Sequence, residues 1–262
     1  MTELSESPAA HAAVDDGLRA KDPARIAGMF DAIAGHYDLL NRVLSAGLDQ
    51  RWRARAVRAL ALTPTDTLLD LCTGTADVAL AAIATRPGAK HVVGVDFSHE
   101  MLRLGLQKIR GKGGSARIGL AQGDAMRLPL SGRSVDAAVI SFGIRNVQAP
   151  EIALDELARV LRPGGRLAIL EFGLPTWPPF RALYLWYSNR LLPAVGRLIS
   201  RHASAYDYLP ESVSRFPPPE AFGHLLQAHG FPHVEIVPLA MGIVYLYVAR
   251  TGGEPPGGSR VV

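Results

Sequence analysis

The spacing of hydrophobic positions changes along the chain, and the changes mark out its elements. Ile26, Met29, Phe30, Ile33 and Tyr37 recur at helical spacing after Asp22-Pro23, a pair suited to an N-cap and first helical residue. A second helix is predicted from about Asp49, with Trp52, Ala56, Val57 and Leu60 along one side. Beyond it the apolar runs become short. TLLDL (67–71), KHVVGV (90–95), ARIGLA (116–121), VDAAVIS (135–141) and RLAILEF (166–172) read as strands, and 76–86, 98–110 and 150–161 as helices between most of them. Strands apolar on both faces and joined by helices predict a parallel sheet covered on both sides. These strands end in Asp70, Asp96, Asp124, Ser141 and Glu171. Open α/β sheets bind ligands outside the carboxyl ends of their strands, so these polar residues mark a candidate site.

Residues 174–217 break this rhythm with proline, aromatics and arginine, which predicts a lid or substrate-binding insertion after the fifth strand. A helix over 219–229, stopped by Gly230, then leads into VEIVPL and IVYLYVA, which read as a closing antiparallel pair. Residues 1–21 and 251–262 read as flexible tails, leaving 22–250 as one domain that includes the insertion. With 262 residues, 48% hydrophobic and 20% charged, the chain can build a large core, which excludes a disordered or collagen-like protein. No apolar run reaches the ~18 residues of a membrane span, and the acidic N-terminus has no signal-like apolar stretch. The one cysteine, Cys72, excludes a disulfide framework. The expectation is a cytoplasmic protein.

The net charge of +4 is too small to argue for nucleic acid, and none is expected as a partner. Its distribution is more informative. Arg181, Arg190, Arg197 and Arg201 stand in a stretch with no acid, interleaved with Tyr184, Trp186, Tyr187, Leu191, Leu192, Val195, Leu198 and Ile199. Such a stretch suits a membrane surface, through 181–201, or a helix pair packed on the sheet with its arginines in solvent.

The candidate chemistry lies at the strand ends. In Asp70-Leu-Cys-Thr-Gly74-Thr75-Ala-Asp77 the chain turns from strand to helix, and Gly74 allows a ligand close to the backbone. With a single glycine this is not a pyrophosphate loop. Asp96, 21 residues after Thr75, has the spacing of a ribose-binding acid, and it can equally cap the next helix. A ribose without pyrophosphate points to S-adenosylmethionine rather than NAD. Gly123-Asp124-Ala125 is placed for an adenine edge or for a plain Asx turn. Ser141 to Asn146 brings Arg145 and Asn146 into an acidic cleft. There Arg145 is either a substrate contact or the ion-pair partner of a carboxylate. No His/Glu cluster has metal-ligand spacing, and no metal is expected.

Three stretches carry a resemblance to a known family. They are Tyr37-Asp-Leu-Leu-Asn41-Arg-Val-Leu-Ser45-Ala-Gly47-Leu-Asp49-Gln-Arg-Trp52, the run from Arg159 through Pro163-Gly164-Gly165 to Glu171-Phe172, and Ser141 to Asn146. On these the chain resembles the UbiE/COQ5 family of quinone-ring C-methyltransferases over about residues 25–250. The resemblance implies the class I S-adenosylmethionine-dependent methyltransferase fold, Rossmann-like, with a mainly parallel sheet, a closing antiparallel strand and a helical lid insertion. It implies cofactor contacts from Gly74, Thr75, Asp96, Asp124, Ala125 and Ser141, with Arg145, Asn146 and Tyr37 as catalytic residues; Tyr37 also suits a core position. Ala76 stands where relatives carry a second glycine, and its methyl is expected to be tolerated if its φ is negative.

The implied reaction is methylation of demethylmenaquinol to menaquinol. The alternatives are the 2-methoxy-6-polyprenyl-1,4-benzoquinol step of ubiquinone synthesis and a non-catalytic quinone-binding scaffold. The implied partners are a prenylated quinol, the inner face of the cell membrane and a second copy in a homodimer. A short-chain dehydrogenase is disfavoured because no lysine lies four residues after a tyrosine.

Overall fold

Asp22 caps the first helix as its sequence predicts. Its carboxylate accepts from the Arg25 N–H at 3.0 Å, Pro23 opens the first turn, and α1 runs from Pro23 to Leu44. The structure is a computed structural model and describes residues 21–114, 116–187, 190 and 203–253. The expected tails over 1–20 and 254–262 lie outside these residues, as does most of the basic stretch, with Leu191, Leu192, Val195, Arg197, Leu198, Ile199 and Arg201.

The second helix, α2 (Leu48–Ala59), buries Ala56 and Val57 as its periodicity requires, with Leu60 closing its end. The βα units follow as β1 (Thr67–Leu71), α3 (Asp77–Ala84), β2 (His91–Asp96), α4 (His99–Gly111), β3 (Ile118–Gln122), β4 (Val135–Ser141), α5 (Pro150–Val160) and β5 (Leu161–Phe172). The insertion contributes α6 (Pro178–Trp186) and α7 (Ala203–Arg215). After α8 (Pro219–Ala228) come β6 (His233–Leu239) and β7 (Val244–Arg250). The strands form one seven-stranded sheet in the order β3-β2-β1-β4-β5-β7-β6. The first five are parallel, and β7 is antiparallel to both neighbours. The expected closing pair is therefore present, with the later strand as the inner one.

Period-two alternation divides the core between the faces of the sheet. Leu69, Leu71, Ile140 and Ile169 pack with Leu154 and Leu157 of α5 and Phe222 of α8. Leu68, Val92, Val139 and Leu170 pack with Val57, Ala79, Ala82 and Ile109. The largest shift of a boundary is at β5. It begins at Leu161, paired with Val135, where the sequence predicts the helix's last residue. Pro163 and Gly164, with φ at +72°, cannot hold a regular ladder, so the strand bulges there before resuming at Arg166.

A polar cluster that hydrophobic periodicity does not predict fastens the N-terminal helices over the strand ends. Arg53 of α2 donates to Asp49 at 2.8 Å and to Asp77 at 3.0 Å. Lys108 of α4 donates to Asp77 at 2.7 Å and to the Thr75 hydroxyl at 2.9 Å, and it pairs with Asp38 of α1. Thr75 in turn donates to Asp38 at 2.6 Å. Farther along α1, Asp31 accepts from the Ser98 hydroxyl at 2.5 Å and the Glu100 N–H at 3.2 Å, at the start of α4. The helix thus lies along α4 and across the carboxyl edge of the sheet. Among the described residues no helix is long and apolar enough to cross a membrane.

Lys108→Met leaves Asp38 and Asp77 facing each other without their cation. The variant should lose about 2 kcal/mol of unfolding free energy in urea and expose α1 to limited proteolysis. An unchanged urea midpoint and cleavage pattern would show that the cluster does not hold the helix.

Candidate functional site

Backbone geometry after β1 sets the first wall of the site. Cys72, Gly74 and Ala76 all have positive φ, at +57°, +55° and +65°, so the chain turns sharply within five residues. Asp70 fastens this turn, because its Oδ2 accepts from the Thr73 hydroxyl at 2.6 Å and from the Ala79 N–H at 3.0 Å. The carboxyl is wholly buried and its Oδ1 has no partner. Burial pushes it up to about 7 against the pull of those donors and of Arg53. Ala76 corrects an expectation: its φ is positive, not negative. An alanine held left-handed costs roughly 1 kcal/mol, offset here by a methyl buried against the strand ends.

Asp96 stands opposite, at the end of β2. Its Oδ2 accepts from the Gly74 N–H at 2.8 Å and its Oδ1 from the Ser98 N–H at 2.9 Å, so it binds the loop and starts α4 at once. Burial raises its pKa above the usual carboxylate range while three backbone N–H groups oppose the shift. Asp124 makes the Asx turn, accepting from the Met126 N–H at 2.9 Å. Ser141 ends β4 with a buried hydroxyl that has no partner among the described residues. A buried polar atom without a partner is rare, and one at the lip of a cavity is suited to a ligand.

These residues surround a cavity that opens to solvent. Tyr37, Gly74, Asp96, Asp124, Ala125, Ser141 and Asn146 all line it, beneath a roof from Ile26 and Phe30 of α1. Lys21, placed in the N-terminal tail from the sequence, also lines it and donates to the Val147 carbonyl at 3.2 Å. Thr75 does not line it; its hydroxyl is taken up by Asp38 and Lys108. Cys72 is in the wall, and burial, with Asp96 and Asp70 nearby, pushes its thiol well up, which suits packing rather than nucleophilic use.

A second, larger cavity of about 1060 Å³ adjoins the first, and Phe30, Tyr37 and Phe142 line both. Its walls are largely apolar and aromatic, from α1, α2, α6 and α7, including Trp52, Phe172, Tyr184 and Tyr187. Arg145 lines this side and Asn146 the other, from one short turn of 3-10 helix (Ile144–Asn146) after β4. Both readings of Arg145 therefore meet in one residue: it is ion-paired and it faces a cavity. Its Nη1 donates to Glu171 Oε1 at 2.9 Å and to the Phe142 carbonyl at 2.5 Å, and its backbone N–H to Glu171 Oε2 at 3.2 Å. Glu171 has no solvent exposure. Nη2 has no hydrogen bond among the described residues.

The insertion supplies contacts that no local sequence signal reveals. The Arg145 Nε donates to the Ser212 hydroxyl at 3.3 Å, and the Tyr208 hydroxyl donates to Asn146 Oδ1 at 3.1 Å. Helix α7 thus holds both residues of the turn. Among the described residues no group of three or more His, Cys, Asp or Glu could hold a metal ion.

Known proteins similar to this chain were found by sequence and by structure. A model of the ubiE/COQ5 methyltransferase family matches residues 18–251. The chain is 51% identical over 219 residues to the "Ubiquinone/menaquinone biosynthesis C-methyltransferase UbiE" of Syntrophotalea carbinolica, covering 84% of this chain and 91% of that one. It is 42% identical over 239 residues to the "Demethylmenaquinone methyltransferase" of Clavibacter sepedonicus, covering 90% and 93%. Solved structures of methyltransferases described as S-adenosylmethionine-dependent, from Thermotoga maritima and Aquifex aeolicus, superpose with TM-scores of 0.59 and 0.54. Both are 18% identical to this chain. The first covers 86% of this chain and 99% of its own, the second 88% and 98%, and the likeness is one of fold.

Two outcomes check this geometry. Asp70 titrates near 7 when folded and near 3.8 when unfolded, so the native state holds the extra proton between those values and loses stability as pH rises through them. Asp70→Asn should remove that dependence, raising the melting temperature at pH 8 and narrowing the gain at pH 5; an equal gain at both would contradict the shift. Ser212→Ala with Tyr208→Phe should cut turnover about tenfold while leaving cofactor affinity within twofold. Parallel loss of both would mean that α7 only supports the fold.

Proposed function

The chain belongs to the ubiE/COQ5 methyltransferase family and is an S-adenosylmethionine-dependent methyltransferase, and on that premise we propose that it methylates a ring carbon of a prenylated quinol. The observation that carries the reading is the pair of cavities meeting at Tyr37 and Phe142, one rimmed by acids and hydroxyls, the other aromatic and large enough for a ring with an apolar tail.

The smaller cavity fits the cofactor on its own chemistry. Asp96 suits ribose hydroxyls, Asp124 beside Ala125 suits an adenine edge, the unpartnered Ser141 hydroxyl awaits a polar atom, and the acids favour a sulfonium cation. Thr75, tied into the ion-pair cluster, holds the loop rather than the ligand in this reading. When bound, S-adenosylmethionine supplies an electrophilic methyl group.

The chain's own residues make the acceptor reactive. A phenol has a pKa of about 10, and a fixed guanidinium nearby lowers it, raising the nucleophilicity of the ring carbons. Arg145 stays charged and so stabilises the phenolate instead of taking its proton. Glu171 holds the guanidinium by Nη1, which leaves Nη2 for the ring oxygen. With both Glu171 oxygens occupied, the proton goes to water at the open side of the cavity. Tyr37 and Phe142 align the ring, and this alignment supplies much of the rate.

The preferred ring is the naphthoquinol, demethylmenaquinol. The Clavibacter sepedonicus relative is named for demethylmenaquinone and the Syntrophotalea carbinolica relative for ubiquinone and menaquinone together, so the naphthoquinol is the ring common to both names.

The test is transfer of labelled methyl from S-adenosylmethionine to reduced demethylmenaquinol and to the methoxy-benzoquinol analogue, side by side. Turnover of the naphthoquinol is expected, and turnover of the benzoquinol alone would reverse the ring assignment. Cofactor binding with neither ring methylated would favour the scaffold reading. Arg145→Ala should lower kcat at least a hundredfold with cofactor affinity nearly unchanged.

A further inference from the structure

We infer that the outer faces of α1 and α2, at the mouth of the larger cavity, form a docking surface for an anionic lipid bilayer. The inference rests on the prenylated-quinol reading and goes beyond it, since the surface lies outside the 181–201 stretch that the sequence marks for membrane contact.

The first observation is apolar exposure at the opening. Val43 and Leu48 are 49% and 36% exposed, and Leu183 and Trp186 of α6 are 59% and 58% exposed; all four line the cavity. Leu39, 54% exposed, continues the strip one turn back along α1. Isolated exposed apolar residues are ordinary, but a cluster around a cavity entrance marks an interaction site.

The second observation is charge. At about 100° per residue, Leu48, Arg51, Arg55 and Arg58 lie within about 80° of one another on α2, opposite the buried Ala56 and Val57. Arg42 stands between Leu39 and Val43 on the exposed side of α1. All four arginines are exposed, and none has an acidic partner among the described residues. The acids nearby are already used, Asp49 by Arg53 and Asp38 by Lys108. An unneutralised row of cations beside an apolar strip complements lipid phosphates above acyl chains. The same placement aligns the cavity entrance with the bilayer, so an insoluble tail enters without crossing water.

The test uses the full chain with vesicles of phosphatidylcholine alone or with about 30% phosphatidylglycerol. It includes the variant Arg51→Glu/Arg55→Glu/Arg58→Glu, whose residues line neither cavity. The wild type should sediment with the anionic vesicles and release them as NaCl rises from about 50 to about 300 mM. At about fivefold per arginine, the variant should bind more than a hundredfold more weakly. It should lose methylation of a long-tailed quinol in vesicles and keep that of a short-tailed quinol in solution. Equal vesicle binding by variant and wild type overturns the inference, as does equal binding to neutral vesicles. A dimer that the variant dissociates, with vesicle binding unchanged, would assign the face to a second copy. Should the triple variant misfold, Arg55→Gln and the salt titration of the wild type decide the matter, and salt-independent binding refutes it. Failure of the wild type on the short-tailed quinol would count against the methylation reading alone, because vesicle binding is read separately.

Discussion

Everything at the site depends on a helix that the sheet itself does not hold. Helix α1 crosses the carboxyl edge of the strands, and without it neither cavity has a roof. Its buried Ile26, Ile33 and Leu40 pack it down, and an electrostatic cluster fastens it: Asp38, Asp49 and Asp77 share Arg53 and Lys108, and Thr75 closes the group with its hydroxyl. Partly buried charges tolerate this only when each is matched, so the cluster specifies one placement of the helix. The loop after β1 takes part through Thr75 and Asp77, so the roof and the loop wall of the smaller cavity are positioned together.

A second buried pair does the corresponding work beside the larger cavity. Glu171 has no solvent exposure and uses both oxygens on Arg145, one on its guanidinium and one on its backbone. Removing a carboxylate from water is costly unless it is paired and hydrogen-bonded, and here the pairing fixes a cation at the wall of an aromatic cavity. Phe172 lies beneath that guanidinium at 5.4 Å and stacks on Phe142 at 4.5 Å, which keeps the arginine from collapsing into the space a ring would take. Ser212 and Tyr208 couple the same turn to the inserted segment, so the order of α7 bears on the geometry of Arg145 and Asn146.

The fold places two adjoining cavities at the carboxyl edge of the sheet. Strand ends bring Asp96, Asp124 and the Ser141 hydroxyl to one cleft, helices outside the sheet build the larger one, and among the described residues Phe30, Tyr37 and Phe142 line both.

Much of this was legible in the chain itself. TLLDL and VDAAVIS match β1 and β4 to the residue, because a doubly covered parallel strand must be apolar on both faces and its ends are marked by polar residues. The strand-end residues Asp96, Asp124 and Ser141 converge as expected, since topology alone brings successive carboxyl ends to one edge. Thr75 shows the limit. Its position in the loop was legible, but whether its hydroxyl faced a ligand or an aspartate 37 residues away was not. The same holds for the sign of φ at Ala76 and the bulge before Arg166. It holds too for the choice of Ser212 and Tyr208, on a helix more than sixty residues distant, as partners of Arg145 and Asn146. Periodicity and strand polarity are local or topological properties and are written in the order of residues. Ion pairs and side-chain hydrogen bonds between distant elements are decided by packing, and only the tertiary structure settles them.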